Sequence, residues 1–456
     1  MQKLFRPFFL LLVAALLLSA LGCGGQPAAQ PTSGAASQPT SGAAQPTSAS
    51  GGSNQGQVTV NVLAMQQAGP TPDEMNAIVT KFNQSHPDIK VNIEYVSYDA
   101  LHDKIVTAMA ANPPAYDVIL VDDIWYAEFA KNNYLLDVTD KIASIKDQVF
   151  PAAWDITTVD GKTYGMPWLL DEKYFYYNKD ILQQAGISAP PATWEEMVDQ
   201  AKTIKDKGLV DYPIVWSWGQ AEAAICDFVT LLYGNGGQFM DAQGNPAFND
   251  PKGVATVQWM LDTLDQGISN PASVSYVEED VRNVFSQGKA AFATNWVYMY
   301  ELADLNQSES QVTGKVGMSL MPAFKDGGVK SATINGSMGF SVVSKSDHPD
   351  AAWQYVQFLT SQPIQEEYSA HLLPIWQNDF TGQQLEKLKG LNQSNPVTVP
   401  MFKEQFPFAQ VRPKVPYYPE GSKALQLALQ QALTKQKTPQ QALDDAAATW
   451  KQLATK

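Results

Sequence analysis

From Val58 onward the hydrophobic positions of the chain alternate between two periods. In VTVNVLA, residues Val58, Val60 and Val62 recur at every second position, the spacing of a strand. Thr71-Pro72-Asp73-Glu74 then opens a helix, with a Thr cap, Pro at the first position and Glu at the third. Met75, Ile78, Val79 and Phe82 share one face behind it. KVNIEYV returns to period two through Val91, Ile93 and Tyr95, and Leu101, Ile105, Ala108 and Met109 mark a second helix. YDVILVDD is a short apolar strand that ends in acid. This β-α-β-α-β series predicts an α/β fold, a mainly parallel sheet with helices on both faces. Ligands of such sheets collect at the carboxyl ends of the strands, where Asp122, Asp123 and Trp125 stand.

Beyond residue 180 the pattern is mainly helical. Thr193-Trp194-Glu195-Glu196 repeats the capping signal, and Val254, Val257, Met260, Leu261 and Leu264 share one face. GKAAFATNW reads as a short strand running into Trp296, and VGMSLMPAF and MGFSVVS read as further strands. Thr438-Pro439-Gln440-Gln441 opens a last helix through Leu443, Ala446, Trp450 and Leu453. A second lobe of similar size follows, with strands that can return to the first sheet.

The first 57 residues follow neither period. Lys3 and Arg6 precede the apolar run Phe8–Leu21, short for a membrane span but suited to a secretory signal peptide. The run ends at Cys23 behind the small Gly22. This resembles the lipobox of bacterial lipoproteins, in which the cysteine is lipidated and becomes the first mature residue. Residues 1–22 are therefore expected to be a lipoprotein signal peptide. Gly24 to Gln57 carries no charge and repeats QPTSGAA from Gln30 and Gln38, so 23–57 is expected to be a disordered tether. Its reach is about 30 Å. The other cysteine, Cys226, sits in an apolar run and is expected to be a small buried side chain outside any disulfide.

Composition narrows the function. The 456 residues, 45% apolar and 17% charged, suffice for two or three domains. The net charge is −15 and no dense basic tract occurs, which speaks against a nucleic-acid partner. His86, His102, His348 and His371 are scattered without metal-ligand spacing, so no metal or cofactor is expected, and each reads as a surface or capping residue. NGSMG around Ser337 has Asn335 where a nucleophile elbow needs Gly, and GNGGQ follows an apolar helix rather than a strand, a helix stop and not a phosphate loop.

GMPWLLDEKYFYYNKD, residues 165–180, crowds Trp168, Tyr174, Phe175, Tyr176 and Tyr177 around Asp171, Glu172 and Asp180. A sugar ring has an apolar C–H face that suits a flat aromatic ring and a rim of hydroxyls that suits carboxylates. The stretch reads as one wall of a carbohydrate pocket, with Trp168 and Asp171 as its contacts. Neighbours on a strand point to opposite faces, so Asp122/Asp123 and Asp171/Glu172 should each offer one carboxylate to a site.

GKTYGMPWLLDEKYFYYNKDILQQAGISAPPATWEEM resembles a segment of the bacterial extracellular solute-binding proteins of ABC sugar importers. FNQSHPDIKV, YDVILVDDIWYAEFAKNNYLLDV, QGKAAFATNW and AAWQYVQFLTSQPIQEEY resemble the same family in the same order. VWSWGQAEAAICDFVTLLYGNGG and RPKVPYYPEGS are similar to its trehalose/maltose-binding branch. The resemblance implies a type II two-lobe fold, each lobe a mainly parallel sheet flanked by helices, with sugar in the interlobe cleft, one lobe from 58–170 plus 334–375 and the other from 171–333 plus 376–456. It places ligand contacts at Asp122, Trp125, Asp171, Glu222, Trp296 and Gly336, with Gln66 after the first strand a further candidate, and makes Arg412 structural. Ala221 replaces a Tyr of that branch, Ser337 replaces a Trp, and SAHLLP lacks an Arg before Pro374. The implied protein is a monomeric, extracytoplasmic lipoprotein anchored through Cys23. It catalyses nothing; it closes around a di- or oligosaccharide such as trehalose or a maltodextrin and delivers it to an ABC permease. The carboxylates leave open a polyol or polyamine solute, and Asp122, Asp171 and Glu222 leave open a secreted glycosidase.

Overall fold

The structure, a computed structural model, describes residues 56–66 and 69–455, which belong to one compact unit. The expected signal peptide, Cys23 and nearly all of the tether lie outside the described residues. The initial series folds as β1 (Val58–Met65), α1 (Pro72–Ser85), β2 (Ile89–Val96), α2 (Tyr98–Met109) and β3 (Val118–Asp122). Both halves of the Thr71 capping box form, and Met75, Ile78, Val79 and Phe82 are the buried face of α1. β1 pairs in parallel with β2 from Val58↔Ile89 to Met65↔Val96, and with β3 on its other side.

The other strands that place the site are β4 (Met166–Leu169), β5 (Tyr174–Asn178), β6 (Ile214–Val215), β7 (Phe292–Asn295), β8 (Val316–Ser319), β9 (Thr333–Ile334), β10 (Met338–Val342) and β11 (Ala409–Gln410). The first sheet has the order β2-β1-β3-β10-β4, with β10 antiparallel to both neighbours. The second has the order β8-β5-β7-β6. Every strand of the first sheet comes from 58–170 or 334–375, and every strand of the second from 171–333.

The second sheet corrects one expectation. It is not mainly parallel: β5 is antiparallel to β8 and to β7, and only β6–β7 is parallel. Tyr174, where β5 begins, pairs with Asn295, where β7 ends. β5 leaves the first sheet and runs outward, while β7 runs back. Alternating hydrophobicity marks a strand but not its direction.

Helices α3 (Glu222–Gly234), α4 (Pro251–Asp265), α5 (Glu278–Ser286), α6 (Tyr418–Leu433) and α7 (Pro439–Leu453) build the second lobe, where α6 and α7 pack on α3 and α4. Trp194, Trp216, Trp218 and Trp450 are fully buried there, and area removed from water at about 25 cal/mol per Å² is what holds such a layer. Between the sheets run Leu170–Lys173, joining β4 to β5, and Asn335–Ser337, joining β9 to β10. They meet at an antiparallel bridge, Glu172↔Asn335, and β11 adds a third crossing segment beside β9. Among the described residues no helix is long and apolar enough to cross a membrane.

Candidate binding cleft

The ends of both sheets face a cavity of about 230 Å³ whose wall includes Tyr98, Asp122, Asp171, Glu222, Trp296, Gly336 and Arg412. Five of the eight expected contacts are therefore brought together: Asp122, Asp171, Glu222, Trp296 and Gly336. Three are not on that wall. Trp125 lies behind it, stacked on Tyr98 with ring centroids 5.5 Å apart. Trp168 is fully buried on β4, edge-on to Phe340 and packed beneath Gly69, a cavity-wall residue. Gln66 is exposed just past β1, although its neighbour Met65 lines the cavity.

Arg412 organises the first half of the site. Its Nη2 donates to Asp122 at 3.0 Å and to Asp123 at 2.8 Å, and its Nη1 donates to Glu222 at 2.9 Å. Asp122 also accepts the Tyr98 hydroxyl at 2.6 Å. Glu222, at the first turn of α3 where a negative charge is favoured, accepts the hydroxyls of Tyr418 (2.6 Å) and Ser422. Burial pushes the Asp123 carboxyl well above its usual range, against the pull of Arg412. Arg412 is therefore more than structural packing. It lines the cavity and occupies the two carboxylates expected to take ligand hydroxyls. Asp122/Asp123 offers one carboxylate to the cavity, that of Asp122, although not through strand alternation: β3 stops at Asp122, and Asp123 opens a 3-10 turn that brings both carboxylates onto one guanidinium.

Asp171 and Trp296 form the second half. The Asp171 carboxylate accepts the Val297 amide at 3.2 Å, and burial pushes it up to about 8, against the backbone hydrogen bonds of Val297 and Glu172. No cation pairs with it among the described residues. Its backbone zips the 336 loop in place: Gly336 N–H donates to the Asp171 carbonyl at 2.9 Å and Asp171 N–H donates to Ser337 Oγ at 3.0 Å. Glu172 points away into the core, where its carboxyl accepts the Tyr174 hydroxyl at 2.9 Å. This pair does offer one carboxylate to the site. Trp296 is half-buried, its indole N–H donating to Glu278 at 3.2 Å and its carbonyl accepting the Tyr176 hydroxyl at 2.8 Å. Lys173, paired with Asp227 at 2.8 Å and fully buried, sits 5.5 Å from its ring centre.

Sequence reasoning missed Tyr98, Glu278 and His371 on the wall. Tyr98 and Glu278 stand at the first position of α2 and α5, so both helix starts were available as signals. His371 is neither a surface nor a capping residue, since it lines the cavity between two glutamates. Cys226 is buried as expected, 3.9 Å from Arg412.

Residues 68–366 match the family described as bacterial extracellular solute-binding proteins. The chain belongs to that family. As a solute-binding protein it is similar in structure to T. maritima MalE3 with maltose bound, at 30% identity and a TM-score of 0.79, over 87% of this chain and all of that one. It is also similar to an ABC transporter solute-binding protein of Thermotoga lettingae bound with α-D-tagatose, at 25% identity and a TM-score of 0.77, over 87% of this chain and 99% of that one. In sequence it is 31% identical to a Deinococcus radiodurans protein named "Probable ABC transporter-binding protein", over 57% of this chain and 61% of the relative's length. The two-lobe architecture of type II binding proteins is thus the fold of this chain.

Proposed function

We propose that this solute-binding protein captures a sugar in the cleft between its two lobes and delivers it to an ABC permease. The observation that carries the reading is the convergence of the half-buried Trp296 ring and the cation-free Asp171 carboxylate on one cavity. A ring can stack on a sugar's C–H face while a carboxylate takes its hydroxyls. The maltose bound by T. maritima MalE3 supports a di- or oligosaccharide such as trehalose or a maltodextrin. A volume of about 230 Å³ favours the short end of that class. Sugar contacts both lobes only when they close, so binding shifts the population toward the closed form that the permease recognises. This reading assigns no catalysed reaction: Arg412 holds Asp122 and Glu222, two of the three carboxylates that a glycosidase reading would draw on. Lipidation at Cys23 would tether a monomeric protein to the outer face of the membrane; metabolic labelling with a fatty acid, lost on Cys23→Ser, tests that part.

A second solute class has an observation of its own. Asp99, Asp171, Glu278 and Glu279 all line the cavity, with Arg412 engaged elsewhere. That wall also suits a polyol or a polyamine. Calorimetric titration with trehalose, maltose, mannitol and spermidine separates the two readings: saturable binding of a sugar supports the first, and binding of spermidine alone replaces it.

A further inference from the structure

His371 joins the two lobes. Its segment belongs to the first lobe, since Leu373 bridges to Leu170 beside β4. Its Nε2 lies 3.0 Å from the carboxylate of Glu74 on α1, in the same lobe. Its Nδ1 lies 2.9 Å from the carboxylate of Glu301, in the helical segment that follows β7 of the second lobe. The same histidine lines the cavity.

A neutral imidazole has one N–H donor and one bare nitrogen, so it can satisfy only one of two carboxylate acceptors. Two carboxylates at hydrogen-bond distance from the two ring nitrogens call for the imidazolium. Glu74 is held as an acceptor from its other side, where its second oxygen takes the Thr71 amide (2.8 Å) and hydroxyl (2.9 Å) of the capping box. The remaining charges nearby are matched among themselves. Lys81 of α1 pairs with Glu367, just upstream of His371. Asp304, on the Glu301 segment, accepts the Tyr300 hydroxyl and the Val316 amide. Burial pulls the imidazole down, but the bonds to Glu301 and Glu74 outweigh it and hold His371 above the ordinary histidine range.

We propose that His371 is a proton-operated clasp of the cleft: as imidazolium it ties Glu74 of one lobe to Glu301 of the other, and on losing its proton it releases one of them. The inference rests on reading this cleft as a solute site that closes, and it adds a regulator that needs no solute. Below the histidine's raised pKa the closed form is favoured. As pH rises through it, that contribution disappears. Acid would thus pre-close the cleft and slow both entry and release of solute.

The test is the interlobe distance in solute-free protein, residues 56–456, by paired spin labels on exposed Lys90→Cys and Asp206→Cys, one in each lobe. We expect a shorter mean distance at about pH 5.5 than at about pH 8.5, with the transition above the ordinary histidine value. His371→Gln keeps hydrogen bonding without the charge, and Glu301→Gln removes the partner from the opposite lobe. Each should give one pH-independent distance, that of the alkaline wild type. A wild-type distance that does not change with pH, or a change that survives in either variant, overturns the clasp. Because no sugar is present, failure of the sugar reading leaves this result intact, and the converse holds.

Discussion

Gly336 packs against the ring of Trp296 so closely that a Cβ at 336 would come within 2.4 Å of the indole Cζ3 and 2.5 Å of Cη2. The loop that holds Gly336 is itself tied to the Asp171 backbone by two hydrogen bonds, from the Gly336 amide at 2.9 Å and to the Ser337 hydroxyl at 3.0 Å. The Trp296 ring, Asp171 and the crossing segment Asn335–Ser337 are therefore one mechanical assembly. Gly336→Ala must displace the six-membered edge of the ring. We expect it to weaken sugar binding by about tenfold, about 1.4 kcal/mol, with Trp296→Ala weakening it at least as much. Both variants should unfold close to the wild-type temperature. Titration and thermal melts check this, and unchanged affinity in Trp296→Ala would remove the ring from the site.

Among the described residues Arg412 is the only cation at ion-pair distance from Asp122, Asp123 and Glu222, with Lys414 acting on Asp123 from farther off. Removing it leaves buried acid uncompensated, so Arg412→Met should cost about 3–5 kcal/mol of stability. Arg412→Lys should recover only part, because an ammonium cannot reproduce the planar fork that reaches three acceptors. Denaturant unfolding measures both. A variant as stable as the wild type would show that the cluster is not held by this charge.

The pH dependence of binding has a definite sign. Asp171 titrates at about 8 in the unliganded cleft, raised by burial. Its native pKa exceeds its unfolded value, so its contribution to stability is fully present below the unfolded value and is lost as pH rises through about 8. Ligand hydroxyls favour the ionised carboxylate and lower its pKa. Taken alone, this group makes sugar affinity rise with pH until about 8 and then level off, with protons released on binding below that point, whereas the His371 clasp, which favours the closed form in acid, works in the opposite sense. Calorimetry in buffers of different ionisation enthalpy reads the proton count. Asp171→Asn should remove the release, while His371→Gln should leave it in place.

Glu172 makes a separate case. It is fully buried, one carboxyl oxygen accepts the Tyr174 hydroxyl, and the other has no hydrogen-bond partner among the described residues. Burial, then the nearby Asp171 charge, pushes this carboxyl well above its usual range and so favours its protonated form. Glu172→Gln should then change stability at pH 7 by less than about 1 kcal/mol, and should lessen the loss of stability on the alkaline side. A large loss at pH 7 would mean that the residue is ionised.

The locally encoded part of this structure was legible. Thr71-Pro72-Asp73-Glu74 specifies a cap from four adjacent residues, and the α1 face follows from spacing alone. Asp122 was placed because the end of a strand is a position the chain marks with acid. Arg412 was not placeable on such grounds. Its partners lie 190 and 290 residues away in sequence, and no local pattern announces a contact of that span. Trp168 illustrates the opposite difficulty. All four residues of β4 are buried, because the sheet is covered on both faces, so period two could not say whether its ring faces the cleft or the core. His371 reads as an isolated histidine until the fold sets Glu74 and Glu301 on either side of it.

The central claim is tested most directly by calorimetric titration of residues 56–456 with trehalose, maltose, longer maltodextrins, sucrose, glucose, mannitol and spermidine, with each mixture assayed for hydrolysis afterwards. The account predicts saturable binding of a short sugar, lost in Trp296→Ala, with the sugar recovered intact. Binding of spermidine alone, or hydrolysis of any sugar, would contradict it.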